Sequence, residues 1–79
     1  PSYRGEPVCL YFKSPPLSST WTVYSVDQQV VARLSFGSQA QQCWTDTQTL
    51  AAGVYWVKVT VHYASGRTET KVLKMMVLE

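Results

Sequence analysis

Residues 54–63 read Val-Tyr-Trp-Val-Lys-Val-Thr-Val-His-Tyr, and they alternate. Tyr55, Val57, Val59, Val61 and Tyr63 share one parity; Trp56, Lys58, Thr60 and His62 share the other. A period of two belongs to a β-strand, whose successive side chains point to opposite faces. An apolar parity beside a polar one is the pattern of an antiparallel sheet with one covered side. A helix would spread these valines around its whole circumference and leave no polar face. The segment therefore commits the chain to a layer of sheet that needs a second layer to cover it.

The rest of the chain follows the same rule. Val, Thr, Tyr and Trp dominate, and these side chains suit a pleated, half-buried surface. Turn residues recur about every ten positions, which is the spacing of an all-β sandwich or barrel. The predicted strands cover residues 7–13, 20–26, 29–36, 39–45, 54–63 and 68–78, with a short edge strand within 2–6. Pro15 and Pro16 end the first long strand, because proline supplies no ladder donor. Residues 64–67 form a hairpin loop. The expected core is Val8, Leu10, Phe12, Trp21, Val23, Val31, Leu34, Trp44, Leu50, Tyr55, Val57, Val59 and Val61. The last strand adds either Leu73, Met75 and Val77 or Val72, Met76 and Leu78, since both parities are apolar.

Seventy-nine residues make one domain, spanning 1–79, with no room for a second. Because the chain starts at Pro1 rather than Met, it is expected to be a piece cut from a longer protein. Hydrophobic residues are 46% and charged residues only 15%, which excludes a disordered tail. A net charge of +2 with scattered cations argues against a nucleic-acid binder that tracks phosphates. No apolar run approaches the ~20 residues of a membrane-spanning helix.

Cys9 and Cys43 are the two cysteines, and His62 is the one histidine. They are too few for a structural zinc site, so no metal or other cofactor is expected. Three states are open to the cysteines: buried free thiols, a disulfide, or a redox pair. The redox pair is the weakest reading, because no charged or helix-terminal setting is evident to activate a thiol. Alternation places both outside the core parity of their strands, so neighbouring strands would allow a bridge. Such a bridge would imply export.

Leu50-Ala51-Ala52-Gly53-Val54-Tyr55 precedes the long strand. Gly53 permits a sharp change of direction. Tyr55 can pack its ring inward while its hydroxyl bonds the connecting backbone, which is the logic of a tyrosine corner. Trp21 could then be the central tryptophan of such a sandwich.

Four stretches carry a family resemblance. They are Tyr24-Ser25-Val26-Asp27-Gln28-Gln29-Val30-Val31, Trp44-Thr45-Asp46, Leu50 to Val59, and Lys71-Val72-Leu73-Lys74-Met75-Met76-Val77. In that order they resemble the immunoglobulin-like C-terminal domains of exported bacterial proteins. The nearest relatives are the type IX secretion C-terminal sorting domain and the immunoglobulin-like module of flagellar hook-capping proteins. Two positions depart from the pattern. Gln28 stands where the family usually has Gly, so that turn must use Asp27 or a longer loop. Thr45 intervenes between Trp44 and Asp46. The resemblance implies an antiparallel immunoglobulin-like sandwich of six to seven strands. It also implies a C-terminal module, secreted or held at the bacterial surface, that is read by an outer-membrane secretion apparatus. The terminal strand, with Lys71, Lys74 and Glu79, would be the recognition element, because edge strands present unpaired donors and acceptors.

No catalytic residue is expected. His62 reads as a surface histidine beside Lys58 and Thr60, with no motif bringing a nucleophile to it. Trp56, Lys58, His62 and Tyr11 form the candidate partner or ligand face, with Tyr24 a further outward aromatic. Exposed aromatics stack on sugars or on partner proteins. They can also meet an upstream domain of the same chain, or be covered by the stems of Lys58 and Arg33. A carbohydrate-binding, spacer or assembly module is therefore the alternative to a sorting module. Gln39, Gln41 and Gln42 read as the exposed side of a strand.

Overall fold

In the computed structural model, which describes residues 2–3, 6–47 and 49–78, the chain is all-β. Its strands are β1 (Ser2–Tyr3), β2 (Val8–Tyr11), β3 (Ser18–Ser25), β4 (Val30–Phe36), β5 (Gln41–Trp44), β6 (Gly53–His62) and β7 (Thr68–Leu78). They form two sheets. The larger has the order β1-β7-β6-β3-β4, antiparallel except for β1, which runs parallel to β7 at Ser2↔Val77 and Tyr3↔Leu78. The smaller is the antiparallel pair β2-β5.

Alternation decides which side of each strand is buried. Trp21 and Val23 of β3, and Tyr55, Val57, Val59 and Val61 of β6, point into the core with Trp44, Leu50, Met75 and Val77. Val8, Leu10 and Phe12 close it from the smaller sheet's side. The Trp21 ring meets Phe36 at 5.1 Å between centroids, tilted by 48°. Each fully buried large side chain contributes roughly 1.5–3 kcal/mol, so this cluster carries most of the stability.

The pairing with β6 chooses the parity of β7. Tyr55 faces Met75 and Val57 faces Leu73, so Leu73, Met75 and Val77 are the inward set. Val72 and Met76 are exposed. The expected inward Val31 is a correction: it is 43% exposed, and Ala32 takes its place against the core. The reason is a bulge. Val23 pairs with Ala32 but Tyr24 pairs with Val30, so Val31 is the extra residue and the parity of β4 shifts there.

A second correction concerns Gln42. It is not on an exposed side but wholly buried, sharing parity with Trp44. Its Oε1 accepts from the Ser19 hydroxyl and, at 3.4 Å, from Trp21 Nε1. Its Nε2 donates to the Gln39 carbonyl at 3.1 Å. The amide is satisfied on both ends, which is the condition for a polar group to sit in a core.

The hairpin at 25–29 needs no longer loop. Gln28 itself takes φ +67°. Its N–H donates to the Ser25 carbonyl at 2.9 Å, while Ser25 N–H donates to Gln29 at 2.8 Å. The β6–β7 hairpin repeats the pattern, Gly66 to Tyr63 at 2.9 Å and Tyr63 to Arg67 at 2.9 Å, with Gly66 at φ +90°. Two loops thus share one geometry, a turn followed by a left-handed residue. One supplies glycine and the other glutamine, whose Cβ is disfavoured there. Gln28→Gly is expected to raise stability by about 0.5–1 kcal/mol, read as a higher midpoint in thermal unfolding. No gain would mean that the Gln28 side chain offsets its own strain.

Candidate functional site

The two cysteines are the first site the sheets assemble. Cys9 and Cys43 stand directly opposite in the β2–β5 register, 4.1 Å apart at Cα, and are joined by a disulfide. The close spacing follows from the ladder. Phe12 N–H bonds the Ala40 carbonyl, which makes Tyr11↔Gln41 and then Cys9↔Cys43 the narrow, non-hydrogen-bonded pairs. Neither sulfur is a free thiol, so no thiol chemistry is on offer.

The connection into β6 is the second. The Tyr55 ring is buried, and its hydroxyl donates to the Ala51 carbonyl at 2.7 Å. Gly53 between them holds φ +154°, with nothing within 4 Å of where a Cβ would stand. Its glycine character therefore answers to backbone angle and not to crowding. Nearby, Thr47 is buried and its hydroxyl donates to the Glu6 carbonyl at 2.6 Å, tying the loop after β5 to the start of β2.

The polar groups at the β6–β7 hairpin are the nearest to a chemical cluster among the described residues. His62 sits at the end of β6, exposed, with its Nδ1 3.3 Å from the Thr68 hydroxyl across the hairpin. Tyr63, Arg67 and Glu69 cluster at the same hairpin. The guanidinium lies 4.7 Å over the Tyr63 ring and 3.7 Å from Glu69. Partial burial, then Glu69, raise the Tyr63 phenol above its ordinary pKa against the opposing pull of Arg67. A phenol held neutral is not an activated nucleophile. Among the described residues, no three His, Cys, Asp or Glu side chains gather as a metal site. No helix among them is long and apolar enough to cross a membrane.

What the fold does build is a broad open surface, the outer side of β4-β3-β6-β7. Register orders it in rows across the strands. Val30, Tyr24, Trp56 and Lys74 form one row, and Arg33, Thr22, Lys58 and Val72 the next. Ser35, Thr20, Thr60 and Thr70 form a third, and Ser18, His62 and Thr68 close the end. Trp56 is 41% exposed, flanked by Tyr24 on one strand and Lys74 on the other. The structure thus places Trp56, Lys58 and His62 on one face, as alternation along β6 required. It separates Tyr11 from them. Tyr11 is 73% exposed on β2, where it shares the outward parity of Cys9 on the smaller sheet. Which sheet a strand joins is a long-range fact that no local pattern carries.

The terminal strand is likewise divided. Lys74 lies on the open face, whereas Lys71 has the inward parity and is exposed beyond the core's edge. Glu79 lies outside the described residues. The side of β7 away from β6 is not wholly an open edge, because β1 covers Val77 and Leu78. A cleft of about 510 Å³ opens where β4 and β5 face each other across the sheets, lined by Leu34, Phe36, Trp44 and Asp46 among others. Comparison of the chain with protein-family models, curated proteins and solved structures gives no match.

Proposed function

We propose that this chain is an immunoglobulin-like, non-catalytic module of an exported bacterial protein, acting in sorting or attachment at the cell surface. The observation that carries the reading is the Cys9–Cys43 bridge, since disulfides persist in oxidising compartments outside the cytosol. Two further features support the immunoglobulin-like part. One is the buried Trp21 at the centre of the two-sheet core. The other is the Tyr55 hydroxyl bonded to Ala51, which is the contact of a tyrosine corner. The partners of such a module are upstream domains of its own chain and the outer-membrane secretion machinery. The part of β7 ahead of Val77, which no described strand but β6 pairs, with Lys71 and Lys74 along it, is the strand that machinery would read.

Fusing residues 1–79 behind a periplasmic reporter, in a host that carries the export system, tests this. The reporter is expected at the surface or in the medium. Its retention in the periplasm overturns the sorting role.

A second reading, glycan binding, is favoured by one observation. Trp56 stands exposed in the middle of an open sheet face, between Tyr24 and Lys74. An exposed aromatic ring on a face that also carries Thr20, Thr22, Thr60 and Thr70 suits the apolar face and the hydroxyls of a sugar.

A further inference from the structure

We infer that the open face of β4-β3-β6-β7 binds an acidic polysaccharide, with Trp56 stacking on a sugar ring and Arg33, Lys58 and Lys74 pairing with its carboxylates or sulfates. The inference rests on the glycan reading and narrows it to one chemical class. Its first support is sign. The outward positions of these four strands hold three cations and no acid. The acids among the described residues lie elsewhere. Asp27 is in the β3–β4 turn, Asp46 follows β5 and lines the β4–β5 cleft that Arg33 also borders, Glu6 precedes β2, and Glu69 has the inward parity of β7. Among the described residues none of the three cations forms an ion pair. They are therefore available to an external anion, and they repel one another until one arrives.

The second support is spacing. Arg33 and Lys58 flank Thr22 in one row, so their backbones stand two strand spacings apart, about 10 Å. Lys74 is diagonal to Lys58 and directly opposite Trp56. Lys74 and Lys58 adjoin the aromatic ring and Arg33 stands two strands away, so the cations form no continuous line. Duplex DNA presents about one charge per 1.7 Å of its axis, far denser than three separated cations can match. A chain of acidic sugars alternates charge with ring faces and hydroxyl groups. The face offers the same mixture: the row of Arg33 and Lys58 lies between the row of Trp56 and a row of Thr20, Thr60 and Thr70 that can exchange hydrogen bonds with hydroxyls. The paired charges would act at an exposed surface, so binding should weaken as salt rises.

The test uses the intact chain with its disulfide. Dextran sulfate, dextran, polygalacturonate, random duplex DNA, and vesicles of neutral or anionic lipid serve as probes, in low and in physiological salt. Dextran sulfate and polygalacturonate are expected to bind, and dextran to bind weakly or not at all. Trp56→Ala should weaken binding roughly three- to tenfold. Lys58→Gln and Lys74→Gln together should weaken it at least as much and flatten its salt dependence. All three positions are exposed, and an unchanged thermal midpoint confirms that each variant is folded. Equal binding of dextran and dextran sulfate, lost in Trp56→Ala but unaffected by the lysine variants, overturns the acidic class and leaves glycan binding standing. No binding to any polysaccharide removes both. Tighter binding to DNA or to anionic vesicles than to either acidic polysaccharide overturns the inference in favour of that partner.

Discussion

Replacing both Cys9 and Cys43 with alanine should lower the unfolding free energy by about 4 kcal/mol, the loop-closure entropy that a bridge across 34 residues removes from the unfolded chain. In a domain this small, each kcal/mol moves the thermal midpoint by roughly 4–8 °C, so the fall should be about 15–30 °C. The loss should also be uneven. The smaller sheet pairs only four residues of β2 with four of β5. Two short strands are marginal alone, and this pair relies on the bridge and on the apolar side chains beneath it. Amide exchange in β2 and β5 should accelerate more than in β3 and β6. Thermal unfolding of the oxidised protein, the reduced protein and the double variant checks all of this. A shift of only a few degrees would show that the smaller sheet is held by its packing and not by its cross-link.

The second large effect lies inside. Gln42→Ala should cost about 3–4 kcal/mol, combining a cavity with two donors left unpaired, the Ser19 hydroxyl and Trp21 Nε1–H. Gln42→Met fills the space and isolates the polar part, at about 2 kcal/mol. Adding Ser19→Ala to Gln42→Met should recover stability, because one stranded hydroxyl is gone. Gln41→Ala is the control. Gln41 is exposed, its side-chain amide meets the Tyr11 hydroxyl at 3.4 Å and Cys43 Sγ at 3.6 Å, both weak contacts, and its loss should be nearly neutral. Denaturant unfolding of the four variants settles the matter. If Gln42→Met is as stable as the parent, the buried amide is not what organises this core.

The contrast between these glutamines shows what was legible in the sequence and what was not. Parity along β6 fixed its core face without help, because one side is all Val and Tyr. The same parity puts Gln42 beside Trp44 on the inner side, but residue type argues for solvent. Only the partners, 21 and 23 residues away in sequence, make burial tolerable. At β7 both parities are greasy, so the choice passes to the neighbouring strand. Val31 escapes simple alternation because a bulge resets the count, and nothing in Gln29-Val30-Val31-Ala32 marks the extra residue. The open face is the most distributed feature. Trp56 and Lys58 are neighbours on one strand, but Arg33 and Lys74 join them only through register on either side.

The pairing of β1 with β7 has a bearing on how the unit can be wired into a larger polypeptide. Ser2 lies opposite Val77 and Tyr3 opposite Leu78, running the same way. The two segments therefore lie side by side at one corner of the larger sheet and point in one direction. Parallel neighbours are not the two legs of a hairpin, so polypeptide joined ahead of β1 would approach this corner from the side opposite to polypeptide joined beyond β7.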